Sequence, residues 1–237
     1  MSETITFTID DVEVKGRRGQ TIMQAADTLG FHIPRLCYHP SLPPGGHCRL
    51  CTVKINGRPT SSCTFPVSEG LIVENDTEEL NAGRRAVLEM LFVEGNHYCP
   101  SCEASGNCEL QALAYRLGMA APRMPYLRAP RELDATHDDL YLDRDRCILC
   151  GRCARASREL DHKGVYAFEH RGIKTRIAVN GAGGLGGTDA SADDEAPKLC
   201  PTGCLMVKRV GYNVPVGRRL YDHEPIGTDI ERQQAAP

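Results

Sequence analysis

Apolar and polar residues alternate through ITFTI, break at the acidic pair Asp10-Asp11 and alternate again through VEVK. A period of two on either side of a turn predicts a β-hairpin. The period then lengthens: Ile22, Ala25, Ala26 and Leu29 recur at helical spacing, Thr21 is placed to cap that helix and Gly30 to stop it. Pro34 forces an extended approach to Cys37, and the following YHPSLPPGGHCRLC is too rich in Pro and Gly for regular structure, so its amides are free to point at sulfur. CTVKING resumes as a strand. From Asp76, read as an N-cap with Glu79 three residues on, Leu80, Val87, Leu88, Leu91 and Phe92 mark one face of a longer helix. LQALAYRLG predicts a short helix with Leu110, Leu113 and Leu117 on one face and Gly118 as its stop. The three prolines of APRMPYLRAPREL predict a linker, and KTRIAV a strand. Residues 180–196 (NGAGGLGGTDASADDEA) read as a mobile excursion. A phosphate loop there is disfavoured, because no helical pattern follows GAGGLGG and no P-loop Lys is present. After Cys204, Pro and Gly are again too frequent for a helix, which predicts an extended arm laid on a neighbouring subunit.

Composition narrows this picture. A chain of 237 residues with no Trp and 5% aromatics points to several small modules rather than one dense core. The N-terminus reads as a strand and not as a charged segment followed by an apolar one, so a cytoplasmic location is expected. In a reducing compartment the twelve Cys are metal ligands sooner than cystines. No apolar run reaches the roughly 18 residues of a membrane span. A net charge of −3 without a basic tail leaves no case for nucleic acid.

The cysteines fall in groups. Cys147, Cys150 and Cys153 follow the C-x2-C-x2-C spacing that wraps three thiolates around the corner of an iron-sulfur cube. Where two-cluster ferredoxins carry a fourth Cys for their other cluster, this chain has Ser157; Cys200, followed by Pro201, completes the set as Cys-Pro. Cys37, Cys48, Cys51 and Cys63 make a four-thiolate group in a β-grasp-like setting, with a spacing unlike the plant-type ferredoxin run; a zinc site is the alternative. Cys99, Cys102 and Cys108 lack a fourth partner, and His97 is the nearest. Three clusters need about twelve ligands. With Cys204 outside every motif, the other Cys and His97 complete that number, leaving His39, His47 and His137 aside. An imidazole in place of a thiolate makes a cluster less negative and raises its potential. Arg144, Arg146, Arg152, Arg155 and Arg158, around the third group, read as a mostly solvated face, the alternative being that one or two offset cluster charge or meet an acidic partner.

GGHCRLC resembles the N-terminal 2Fe-2S domain of complex I and of hydrogenases, and the His97 group resembles the 4Fe-4S segment with one His and three Cys ligands in the same proteins. One departure stands out: most of those proteins have the His four residues before the first Cys, where this chain has Gly95. As a whole, with FVEGNHYCPSCE, DRCILCGRC and KRVGYNVPVGRRLY, the chain resembles the small diaphorase subunit of soluble NAD-reducing nickel-iron hydrogenases. The resemblance implies an α+β chain with a 2Fe-2S β-grasp domain at 1–78, a small helical 4Fe-4S segment at 79–118, a ferredoxin-like 4Fe-4S domain at 119–210 and an arm at 211–237. It implies one 2Fe-2S and two 4Fe-4S clusters in an electron relay with no substrate site of its own. The partners it implies are a flavin/NAD-binding diaphorase large subunit and the hydrogenase small and large subunits. The complex I subunit continues into a long further domain, whereas this chain stops, which favours the hydrogenase. An iron-sulfur subunit of an NAD-dependent formate dehydrogenase or a complex I-like enzyme is the second reading, and a zinc-bound interaction scaffold a third.

Overall fold

The computed structural model describes residues 4–128 and 130–234. The expected hairpin is present: β1 (Thr4–Ile9) pairs antiparallel with β2 (Val12–Arg17), and Asp10 and Asp11 turn the chain at φ 47° and 65°, the left-handed values a two-residue hairpin loop requires. Helix α1 (Ile22–Thr28) starts at a complete capping box, in which Thr21 and Gln24 exchange side chain and backbone bonds. β3 (Thr52–Ile55) and β4 (Arg58–Ser61) form a second hairpin. β5 (Ile72–Glu74) then inserts between the two hairpins, parallel to β1 and antiparallel to β3, which gives the sheet order β2-β1-β5-β3-β4. Ile22, Met23, Ala25 and Ala26 of α1 pack with Phe7, Ile9, Val53 and Val73 of the sheet in one core. This is the expected β-grasp arrangement.

Helix α2 (Glu78–Glu94) begins one residue later than its sequence suggests, because Thr77 and not Asp76 is the N-cap: Thr77 Oγ1 accepts from the Leu80 amide at 3.3 Å. Asp76 is engaged elsewhere, its amide donating to Asp10 and its carboxylate accepting from Asn81. The expected apolar stripe is there, with Leu80 and Leu88 buried, but Arg84 is buried on the same helix at 3% exposure. Its guanidinium donates to the carbonyls of Leu50, Thr52 and Asn75 and to the side chains of Asn75 and Asn81. α3 (Glu109–Arg116) packs Leu110 and Leu113 against Leu88 of α2 and against Leu36 and Leu50 from the first hundred residues, so the helical segment and the sheet module share apolar contacts.

The C-terminal half contains β6 (Leu133–Asp134), β7 (Leu140–Asp143), α4 (Arg152–Glu159), β8 (Tyr166–Glu169), β9 (Arg176–Val179), α5 (Glu195–Lys198) and β10 (Leu205–Val207). β10, β7 and β6 form one sheet and β8 with β9 a hairpin. One expectation needs correction here. Residues 180–196 are packed, with Leu185, Ala190 and Ala196 buried, and the amides of Leu185 and Gly186 are taken up by the Asp134 carboxylate and Thr136 hydroxyl. A carboxylate of the same chain thus sits where a loop-bound anion would. The C-terminal arm, ending in the short helix α6 (Thr228–Glu231), lies on its own chain: the Tyr212 hydroxyl donates to the Ser101 carbonyl, the Tyr221 amide to that of Gly106, and Arg116 holds the Ile226 carbonyl and Glu231.

Arg84 ties α2 to the backbone on either side of Cys51. Replacing it with Ala leaves those buried carbonyls without a donor, an expected loss of about 3 kcal/mol. For a chain of this size that lowers the melting temperature of the holoprotein by roughly 6–12 °C. A thermal melt of Arg84→Ala within about 2 °C of the parent would show that water replaces the guanidinium.

Candidate metal centres

The first group of thiols forms where the Pro- and Gly-rich loop meets the start of β3. Cys37, Cys51 and Cys63 are buried, and Arg49, between Cys48 and Cys51, takes the left-handed conformation that closes the short turn (φ 60°). The thiols stand in two pairs. Cys37 and Cys48 are within hydrogen-bond reach, each backbone amide facing the other residue's sulfur at 3.5 and 3.4 Å, and Cys51 is within reach of Cys63. The bond from Cys48 lowers the pKa of the Cys37 thiol, and the bond from Cys63 lowers that of Cys51. In each pair the bond favours the thiolate of one sulfur, the form that binds metal.

The second group opens onto a cavity lined by Phe92, His97, Cys99, Cys102, Cys108, Arg146 and Gly203. His97 Nε2 is shut off from solvent and has no hydrogen-bond partner. Burial, with Arg146 and Arg131 nearby, lowers its pKa to about 4, so the ring is neutral at physiological pH with a lone pair to offer. Gly95 explains how the shifted histidine still reaches this place: a Cβ at position 95 would lie 2.5 Å from His97 Nε2, so the ring folds back over the residue that lacks a side chain. Phe92 supports it edge-on, with centroids 5.4 Å apart. The other histidines are engaged elsewhere. His39 accepts from the Ser41 amide, His47 packs on Phe168, and His137 contacts the Ala190 carbonyl.

The third group sits on the turn into α4. Leu149 and Gly151 both adopt left-handed conformations (φ 54° and 68°), which brings the Leu149 amide to 3.4 Å from Cys147 Sγ. A side chain at Gly151 would meet the Phe168 ring at 3.1 Å. Cys150, Cys153 and Cys204 are buried. Cys204, which lies outside every sequence motif, is brought into this group, its thiol within hydrogen-bond reach of both Cys147 and Cys200. Ser157 accepts from the Val165 amide at 2.9 Å, fixing the end of α4 to the chain after it.

The basic residues around this group are not a solvated face. Arg144, Arg152 and Arg155 are buried, Arg146 lines the second cavity, and Arg158 alone of the five is largely exposed. Arg152 forms a two-bond pair with Glu109 at the start of α3 and donates to the Tyr38 carbonyl. Arg155 donates to the carbonyls of Cys37, Pro43, Cys150 and Gly151. A weak signal for this existed in the sequence: Arg152 and Arg155 are three apart, hence on one face of the helix, with small Cys153, Ala154, Ala156 and Ser157 around them. The third group also touches the second. A Cβ at Gly203 would lie 3.0 Å from Cys102 Sγ, and the Pro201 carbonyl lies 3.5 Å from Cys108 Sγ and accepts the Glu109 amide.

Among the described residues no three His, Cys, Asp or Glu side chains form a group that could hold a single metal ion. A multi-iron cluster asks for a different arrangement, in which soft donors surround a volume instead of meeting at a point. The orphaned imidazole nitrogen facing three thiols, and the paired thiols of the first group, fit that requirement.

Comparisons with known proteins agree with this reading group by group. Residues 2–78 match the 2Fe-2S iron-sulfur cluster binding domain, residues 84–123 the NADH-ubiquinone oxidoreductase-G iron-sulfur binding region, and residues 140–207 the 4Fe-4S single cluster domain. The chain thus carries one 2Fe-2S and two 4Fe-4S binding regions. It is 32% identical to the alpha subunit of the NADPH-Fe(3+) oxidoreductase of Geobacter sulfurreducens over 86% of its own length, but spans only 24% of that protein. A crystal structure of an NAD+-reducing nickel-iron hydrogenase in the H2-reduced state contains a chain that superposes with a TM-score of 0.92 at 44% identity, covering 97% of this chain and 98% of that one. The gamma subunit of the NAD-reducing hydrogenase HoxS of Cupriavidus necator is 40% identical over 94% of this chain and 95% of its own. Matched almost end to end in sequence and in fold, the chain belongs to the family of the gamma, iron-sulfur subunit of NAD-reducing hydrogenase.

Proposed function

We propose that this chain relays electrons between a flavin- and NAD-binding diaphorase subunit and the small and large subunits of a nickel-iron hydrogenase, in the cytoplasm. The observation that carries this is the His97 cavity, whose unpartnered buried imidazole nitrogen and three thiols stand directly against the third cysteine group. The first cluster is assigned to Cys37, Cys48, Cys51 and Cys63, the second to His97, Cys99, Cys102 and Cys108, and the third to Cys147, Cys150, Cys153 and Cys200. Such clusters supply one-electron chemistry over a wide range of potentials. The chain's own residues do the rest. Amides of Cys37, Cys48 and Leu149 face sulfur, Phe92 and the leucines of the apolar core keep water out, and the neutral His97 makes its cluster less negative than a thiolate would. No helix among the described residues is long and apolar enough to cross a membrane.

Anaerobically purified chain is expected to contain about ten iron and as much acid-labile sulfide; two or three metal ions without sulfide would remove the relay reading. Alone it should neither oxidise NADH nor take up hydrogen. A flavoprotein subunit should restore NADH-dependent bleaching of its absorbance, and hydrogen-dependent bleaching should need the nickel-iron subunits as well; NADH oxidation by this chain alone contradicts the proposal.

His97→Ala is expected to lose or destabilise the second cluster, while His97→Cys keeps its iron and lowers its potential. Redox-poised EPR decides, and an unchanged second-cluster signal in His97→Ala returns the residue to a packing role.

Because Cys204 shares the third pocket, its dispensability is a sharp question. Cys204→Ser is expected to keep parental iron and Cys200→Ser to lose about four; the reverse pattern would exchange the two assignments.

A further inference from the structure

We propose that Arg155 is a positioning residue that sets the spacing of the first and third cluster sites and thereby governs single-electron exchange between them. This rests on the relay reading above. One nitrogen of its guanidinium, Nη2, donates to the carbonyl of Cys37 at 2.6 Å and to that of Cys150 at 3.3 Å, so a single side-chain atom joins the backbone of a first-site cysteine to that of a third-site cysteine. Nη1 holds Pro43 O at 2.6 Å and Nε holds Gly151 O at 3.2 Å, fixing the loop beyond each cysteine as well. The residue is 8% exposed, and a Cβ at Gly45 would press on its Cζ at 3.2 Å. The guanidinium is therefore clamped on both sides.

None of these acceptors is a carboxylate. A buried cation held by carbonyl dipoles alone is poorly compensated. Thiolate-ligated clusters carry net negative charge, so a guanidinium bonded to the backbone of both Cys37 and Cys150 would offset the repulsion between clusters held at the two sites. With both clusters bound, only an electron would need to cross this contact, leaving one cluster oxidised as the other is reduced. A planar fork with donors on three nitrogens can make all four bonds, whereas an ammonium at the end of a flexible chain cannot.

The test uses the full chain with its clusters, as parent, Arg155→Lys and Arg155→Gln, reduced stepwise and followed by EPR and by pulsed reduction. Both variants are expected to retain parental iron and sulfide, since no ligand is removed. Arg155→Lys keeps the charge but not the bridge. The magnetic interaction between the reduced first and third clusters should weaken, and transfer between them should slow several-fold, since tunnelling falls off steeply with added distance. Arg155→Gln should in addition lower the potentials of those two clusters and leave the second at its parental value. Parental interaction and parental transfer rate in a fully loaded Arg155→Lys would overturn the proposal. Should Arg155→Gln fail to assemble, the lysine variant decides on the same two readouts. Absence of iron and sulfide from the parent would instead sink the relay reading, a distinguishable failure.

Discussion

A buried guanidinium must find acceptors or the segment carrying it cannot be buried, and Arg84, Arg152 and Arg155, three of the buried arginines, impose that condition across the cysteine groups. Removing such an ion from water costs several kcal/mol even after relaxation. Hydrogen bonds to a charged donor return about 1.5–3 kcal/mol each, so one or two do not suffice and four or five do. Arg84 finds its acceptors at Leu50, Thr52, Asn75 and Asn81, Arg152 at Tyr38 and Glu109, and Arg155 at Cys37, Pro43, Cys150 and Gly151. Leu50, Thr52, Tyr38, Glu109, Cys37 and Pro43 come from distant segments, while Asn81, Cys150 and Gly151 are near neighbours in the chain. α4 is thus buried only when the first-site loop and the start of α3 are already beside it, and the three cysteine groups are assembled by one set of mutual requirements.

That constraint accounts for why the sites share walls instead of hanging on linkers. The third group meets the first through Arg155 and the second through Gly203 and Pro201, where the lack of a side chain at Gly203 permits close approach to Cys102. Contact order here departs from chain order, since the last group in sequence touches both of the others. An electron relay benefits from such sharing, because spacing set by packed backbone does not fluctuate as a Pro-rich tether would. The arm over residues 101–107 adds a cover on the second group, with Tyr212, Arg219 and Tyr221 bonded to the carbonyls beneath.

Substitutions that look like losses in the ligand pattern have local reasons. Ser157 stands where two-cluster ferredoxins carry a thiol for their other cluster and instead fixes the end of α4 through the Val165 amide. His97 stands closer to Cys99 than in the resembling proteins, and Gly95 provides the room its ring needs to reach the cavity. Cys204 lies outside every motif yet comes within reach of Cys147 and Cys200, because the strand that follows, β10, pairs with β7 and draws residue 204 inward.

Where the physics is local, the amino-acid sequence alone determined the outcome. The β1-β2 hairpin follows from alternation about Asp10-Asp11, α1 from Thr21 and its stripe, α3 from its leucines and Gly118, and the cysteine groupings from spacings that a tight loop imposes on its ligands. Near neighbours in the chain decide each of these. Tertiary structure decided what depends on partners far away in sequence. The N-cap moved to Thr77 because Asp76 was claimed by Asp10 and Asn81; residues 180–196 became ordered because Asp134 and Thr136 took up their amides; the arm turned back onto its own chain; and the arginines of α4 went inside. Charge patterning cannot distinguish a solvated arginine from one matched by carbonyls, since every residue supplies a carbonyl and only the folded chain settles which of them converge on a guanidinium.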